Sequence, residues 1–299
     1  MHVAVLKGGF SAEREVSLTS GAAVAKACRE LGHEVTEIDV STDVVEQLFG
    51  ARPDVAFNAL HGRFGEDGGM QGVLELLKIP YTHSGVLASA VAMDKPMAKV
   101  IFAAAGLTVA QGKVVHKAEL FGQDPMPRPY VVKPANEGSS VGVKLVFEKD
   151  NFFFTEQNWP YGETVLVEKY VPGRELTAAV LDDVCLGVTE ITIPKGFYDY
   201  DNKYTAGGSV HICPAQLPQK IYDEVIKMAV TAHQALGCRS LSRSDFRWDK
   251  QGDGKIYILE TNTQPGMTPL SLSPELAAYA GISFNALVQK LIDGARLDG

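Results

Sequence analysis

Hydrophobic and polar positions alternate with two different periods along this chain, and the period changes mark the elements. Val3–Leu6 is a short apolar run, Val16–Leu31 carries apolar residues at helical spacing and stops at Gly32, and Glu34–Val40 and Pro53–Leu60 read as further strands. Gly69–Leu77 predicts a short helix before a strand around Tyr81. Strands alternating with helices predict an open parallel sheet with helices on its faces, whose ligands gather beyond the carboxyl ends of the strands. The loops there are Lys7-Gly8-Gly9-Phe10-Ser11 and His61–Gly69, both glycine-rich, which lets the backbone come close to a ligand.

Ala88–Ala105 is helical in pattern but interrupted at Lys95-Pro96, where proline suits the start of a fresh helix better than a helix interior. From about Thr108 short strands follow one another: Lys113–His116, Tyr130–Lys133, Val141–Phe147, Thr164–Val171, Glu175–Leu181 and Val184–Ile193. Consecutive strands with tight turns predict antiparallel sheet. A helix over Ile221–Leu236, a hairpin and a final helix near Ser283–Leu291 complete the pattern. An α/β lobe followed by an α+β region with glycine-rich loops suggests ATP held between lobes.

Composition narrows the class. The 299 residues allow one large domain or two to three subdomains, and 45% hydrophobic with 21% charged residues is globular. The net charge of -8, with no long Lys/Arg run, sets aside nucleic acid and anionic lipid as partners. No stretch approaches the ~20 apolar residues of a membrane span. The N-terminal run reads as a strand and not as a signal peptide. Cys28, Cys185, Cys213 and Cys238 are scattered without metal-ligand spacing, which fits reduced thiols. A soluble, cytoplasmic enzyme is the expectation.

The strongest chemical signal is the hairpin Arg243-Ser-Asp245-Phe-Arg247 … Ile256-Tyr-Ile-Leu-Glu260-Thr-Asn262. A turn centred on Gly252/Asp253 places Asp245 opposite Glu260, and period-two alternation adds Arg243 and Asn262 to that face. Opposed carboxylates repel unless a cation lies between them, and an all-oxygen donor set suits Mg²⁺ bridging phosphates. A second signal is Val131–Gly142, strand then Gly/Ser loop then strand, with Lys133 at the strand end. Such a flap cradles phosphate oxygens, although taken alone it is equally a plain hairpin turn. No P-loop is present. Val165–Leu176 offers a strand edge for an adenine and a carboxylate for ribose, and alone reads as a hairpin with surface charges. Glu13 fits either a helix N-terminus or a substrate ammonium, and His61 either a substrate contact or no role. Tyr198–Gly208, with aromatics, lysine and glycines, has the composition of a lid.

The segments GGFSAEREVSLTSG (Gly8–Gly21), ALHGRFGEDGGMQG (Ala59–Gly72), MDKPMAK (Met93–Lys99), VVKPANEGSSVGV (Val131–Val143), FYDYDNKY (Phe197–Tyr204) and LETNTQPGMTPLSL (Leu259–Leu272) resemble the ATP-grasp D-alanine–D-alanine ligases over nearly the whole chain. The resemblance implies an N-terminal open parallel α/β substrate domain over 1–92, a central ATP-grasp subdomain over 93–174, and a C-terminal subdomain with metal and lid loop over 175–299. ATP then lies between antiparallel sheets.

By the same resemblance Lys95, Lys133 and Lys203 contact phosphates, Ser139 and Ser140 belong to the flap, Glu168, Lys169, Tyr170 and Val171 form the adenine hinge, and Glu175 meets ribose. Asp245, Glu260 and Asn262 match the ligands of two Mg²⁺ ions, with Glu260 bridging and Mn²⁺ as a substitute. Glu13 looks like the acceptor of the first D-alanine's ammonium, with His61 beside it. Arg243 and the N–H of Gly266 resemble an oxyanion hole, and Ser271 and Leu272 a carboxylate pocket for the second D-alanine. Glu13, Ser139 and Tyr204 resemble a linked trio, and Tyr204 favours a dipeptide over a D-alanine–D-lactate ester. The stretch from Gly112 to Pro129 looks shorter than in many relatives, and the lid after Tyr204 is compact. A homodimer is the family expectation. The competing readings are a different ATP-grasp ligase, a D-lactate-using one, and, remotely, a non-catalytic nucleotide sensor.

Overall fold

A computed structural model of the chain describes residues 1–138, 141–151, 153–192 and 208–298. Ser139, Ser140, Lys203 and Tyr204 lie outside the described residues.

Strand β1 (His2–Gly8) is flanked by β2 (Glu34–Val40) and β3 (Val55–Asn58) in a parallel sheet ordered β2-β1-β3. Val3, Ala4, Val5 and Leu6 are all fully buried, as expected for a central strand covered on both faces. Helix α1 (Arg14–Glu30) lies against β1, and a Cβ at Gly21 would sit 2.5 Å from the Lys7 Cβ, so glycine permits this approach. Helix α2 (Val44–Ala51) was not legible as a helix, because it buries only Val44 and Leu48. Helix α3 (Gly69–Leu77) falls where the pattern placed it. The expected strand at Tyr81 is instead one residue that bridges Ala56 in parallel and Arg296 in antiparallel sense, between Pro80 and the turn into the next helix.

Helices α4 (Val86–Met93) and α5 (Lys95–Ala104) are separated by Asp94. Its carboxylate accepts the Met97 N–H at 2.9 Å, and Pro96 occupies the first turn, so one helix ends and another is capped within two residues. The next sheet is antiparallel in order β4-β7-β5-β6: β4 (Gly112–His116), β5 (Tyr130–Pro134), β6 (Lys144–Val146) and β7 (Thr164–Lys169). Strand β6 is shorter than the expected Val141–Phe147, because Val141 N–H turns back to the Gly138 carbonyl and Gly142 has φ +72°.

The third sheet, also antiparallel, runs β10-β9-β8-β11-β12 with β8 (Arg174–Leu181), β9 (Val184–Thr192), β10 (Val210–Ile212), β11 (Leu241–Trp248) and β12 (Ile256–Asn262). Helix α6 (Gln219–Ala235) packs on it, followed in sequence by α7 (Leu272–Tyr279) and α8 (Phe284–Asp293). Helix α7 is absent from the sequence expectation. One core cluster joins β1 and α1 to β8, β11, α7 and α8, so the first sheet and the last region share packing.

Candidate active site

The β11–β12 hairpin places its charges by register. Asp245 pairs with Glu260 and Arg243 with Asn262, as the turn symmetry required. One step further the register changes, with Phe246 opposite Ile258, so Leu259 is a bulge residue. The bulge turns Ile256 and Ile258 into the core and sends both Leu259 and Glu260 to the cleft side. Alternation alone does not find this phase change.

On its other edge β11 pairs with β8, setting Thr177 opposite Asp245 and Glu175 opposite Arg247. The Thr177 hydroxyl donates to Asp245 Oδ1 at 2.6 Å, and Arg243 grips both carboxylate oxygens at 3.0 and 2.9 Å. Arg247 donates to Glu175 at 2.9 Å and to the Val171 carbonyl at 3.2 Å.

Between the two antiparallel sheets runs a cleft lined by Lys95, Lys133, Glu168, Lys169, Tyr170, Val171, Glu175, Asp245 and Glu260 among others. At one end Glu168 is buried under apolar Val131 and Ala110. Lys133 Nζ lies 2.7 Å from one of its oxygens, and Lys99 holds the other. Burial drives the Glu168 carboxyl up, but the two ammonium groups outweigh it and leave it below the usual range. Burial likewise opposes the charge on Lys133, yet Glu168 raises it overall, whereas burial prevails at Lys99 and lowers it.

At the other end Lys95 donates to the Glu137 carbonyl of the flap and lies 3.7 Å from Glu260. A smaller adjoining cavity is lined by Lys95, Glu260, Asn262, Gly138 and Glu66. Glu66 donates nothing when ionised; it accepts the Gly62 N–H at 2.5 Å, and burial, then Glu13, raises its pKa well above the ordinary range. Glu13 is buried, and a Cβ at Gly62 or Gly138 would stand 2.8 or 2.7 Å from its Oε2. The glycines of two different loops therefore make room for one carboxylate.

His61 contacts Ser20 Oγ through Nε2 at 3.1 Å, and its Nδ1 is 4.0 Å from Glu66. Burial, then the nearby Arg243 charge, pulls its pKa to about 4, so the ring is neutral at pH 7. Ser20 Oγ also accepts the Met267 N–H at 3.2 Å, and a Cβ at Gly266 would meet Ser271 Oγ at 2.7 Å. Contacts thus run from His61 through Ser20 to the loop before α7, where Ser271 is the N-terminal flanking residue and Leu272 the first helical one.

The expected residues accordingly divide between a cleft and two loop clusters beside it. Lys99, Glu66, Thr177, Arg247 and Ser20 join them without having been assigned a role from sequence. Lys99 lies one turn beyond Lys95, and Arg247 continues the period-two face of Arg243 and Asp245; those spacings were the available signals.

Two family models match the chain, "D-ala D-ala ligase N-terminus" over residues 41–84 and "D-ala D-ala ligase C-terminus" over residues 101–293. The chain belongs to the D-alanine–D-alanine ligase family. Among curated members, D-alanine–D-alanine ligase of Sinorhizobium fredii is 55% identical over 98% of this chain and 97% of the relative. That of Paramagnetospirillum magneticum is 55% identical over 99% of both. The solved D-alanine–D-alanine ligase of Bacillus anthracis superposes with TM-score 0.83 at 32% identity, covering 98% of this chain and 97% of that one. A structure of the Bacillus anthracis enzyme complexed with ATP gives the same TM-score at 30% identity. The match spans all three sheets, so the mixed α/β, ATP-grasp architecture of this ligase family holds for the whole chain.

Proposed function

We propose that this enzyme joins two D-alanines into D-alanyl-D-alanine for peptidoglycan precursor synthesis, converting ATP to ADP and phosphate. The observation that carries the reading is one continuous site: the cleft between the antiparallel sheets meets, at Lys95 and Glu260, the smaller cavity beside the carboxylates of Glu13 and Glu66. The hinge Glu168–Val171 reads adenine, Glu175 takes ribose, and Lys95 and Lys133 neutralise phosphates, with Lys203 and the flap serines Ser139 and Ser140 completing the set.

The first carboxylate attacks the γ-phosphorus and ADP departs, leaving an acyl phosphate. The second amine then attacks the acyl carbon, the tetrahedral oxyanion rests on Arg243 and the Gly266 N–H, and phosphate leaves as the amide forms. Glu13 holds the first ammonium with His61 beside it, Ser271 and Leu272 hold the second carboxylate at the α7 N-terminus, and Tyr204 closes the trio with Glu13 and Ser139.

Among the described residues no group of three or more His, Cys, Asp and Glu is arranged around a metal position. Asp245, Glu260 and Asn262 are nevertheless all oxygen donors on one face, and the opposed carboxylates suit a hard cation. They would hold two Mg²⁺ ions, or Mn²⁺ in their place, which supply charge neutralisation for the triphosphate. The three-part division at 92/93 and 174/175, a cytoplasmic location and a homodimer complete the proposal. Among the described residues no helix is long and apolar enough to cross a membrane.

The test is Mg²⁺-dependent phosphate release with D-alanine, L-alanine, or D-alanine plus D-lactate, with products identified by mass. Dipeptide from the D-isomer alone is expected. An ester product would move the chain to the depsipeptide branch, and no product despite ATP binding would refute ligation of these substrates.

A further inference from the structure

Lys99 is a nearly enclosed cation beside the cleft to which the proposed reaction gives no task. It sits on α5 one turn, ~6 Å, beyond Lys95, and its side chain is 12% exposed. Its ammonium donates to the Ala110 carbonyl at 2.7 Å and to Glu168 Oε1. It does not line the nucleotide cleft; it lines a groove on the far side, with Val100, Gly112 and Leu166. Whatever it does for the nucleotide it does through Glu168.

The surroundings are built for that contact. Gly112 pairs with Glu168 across the ladder, and a Cβ there would lie 3.1 Å from Glu168 Cγ and 2.6 Å from the Val167 carbonyl. Lys133 holds the second carboxylate oxygen, but Lys133 faces the cleft and is within the field of Glu260 and Glu175. When phosphates claim Lys133, Lys99 is the counter-ion that stays behind Glu168.

A carboxylate pinned this way is a pure acceptor of fixed orientation. Adenine presents an amino donor at position 6, whereas guanine presents a carbonyl acceptor there. We propose that Lys99 is the positioning residue that keeps Glu168 an acceptor-only reader of purine position 6, and thereby sets the preference for ATP over GTP. The proposal rests on the reading of Glu168 as the adenine contact.

The test compares kcat/KM for ATP and GTP, and calorimetric Kd for ADP and GDP, in full-length wild type, Lys99→Met, Lys99→Arg and Glu168→Gln. In Lys99→Met the ATP:GTP ratio is expected to fall about tenfold, with KM for ATP rising more than kcat falls. Lys99→Arg, which keeps the charge, retains most of the preference. Glu168→Gln, whose amide both donates and accepts, also loses the preference, and adding Lys99→Met to it changes the ratio no further. Lys99→Gln replaces Lys99→Met if the latter does not fold. An unchanged ratio in Lys99→Met with a lowered Tm would make Lys99 a structural lysine and overturn the inference alone. An unchanged ratio in Glu168→Gln would overturn the adenine reading of Glu168 and this proposal with it.

Discussion

The two ends of the cleft handle charge in opposite ways. At the base end each charge meets a partner supplied by the protein: Glu168 between Lys133 and Lys99, and Glu175 on Arg247. At the other end carboxylates converge on Glu66: burial first, then Glu13, holds it well above the ordinary range, Glu260 adds to this and Arg243 opposes it. His61 beside Glu66 is buried and neutral, as is His83, whose carbonyl accepts from Arg239. On the proposed reading the first end is set to recognise the base, while the second keeps a raised carboxyl beside Glu13 that a substrate ammonium would relieve. Recognition can be complete in the empty protein. Charge stabilisation of a transition state cannot, because the charge being stabilised arrives with the reaction.

Arg243→Ala tests the contrast most severely. Losing this donor should lower kcat by about 10²–10³ fold, as for other oxyanion donors, while ATP still binds; calorimetry beside steady-state kinetics checks both. A comparable loss of ATP affinity would show that the two ends are not separable. Glu13→Gln follows, with an expected rise of about tenfold or more in KM for the first D-alanine from loss of a buried charge-assisted bond. An equal rise in KM for ATP would break the division.

The neutral histidines give a pH prediction. Burial, then His61 and Arg239, lowers the His83 pKa to about 3, and His61 lies at about 4. An unfolded histidine takes its proton near 6.5, so stability is present above that pH and is lost as pH falls toward the folded values. Each ring contributes a slope of about 1.4 kcal/mol per pH unit in that window. Urea unfolding from pH 6.5 to 4 should show a shallower slope in His83→Gln than in wild type. Equal slopes would mean the ring is not excluded from water. The smallest effect is expected at the base end: Glu175→Ala should raise KM for ATP by about fivefold, from a contribution of about 1 kcal/mol. A larger fall in kcat than rise in KM would give Glu175 a part in the chemistry.

Much of this was legible along the chain. Strands β1, β2 and β5, helices α3 to α6 and the opposition of Asp245 and Glu260 follow from period and turn symmetry, which are local properties. Helix α2 was missed because two buried residues make too short a stripe, and the strand at Tyr81 was overstated because a single residue after Pro80 gains only isolated bridges, to Ala56 and Arg296. Within the site, Glu66 stood in a quoted loop with no role because its neighbours Glu13 and Glu260 come from other segments.

The sequence by itself determined the family, the oxygen donors on one hairpin face and the glycine-rich loops, because these depend on residue type and on spacing within one segment. Only the tertiary structure decided that Leu259 bulges and re-phases β12, that Glu168 is shared by lysines from α5 and β5, and that Gly62 and Gly138 clear space for Glu13. Those outcomes depend on residues from separate segments of the chain in two of the three cases, or on a slip of one residue in pairing that packing of Ile256 and Ile258 selects. Energies of burial and pairing between distant segments have no local signature, so they become readable once the sheets are assembled.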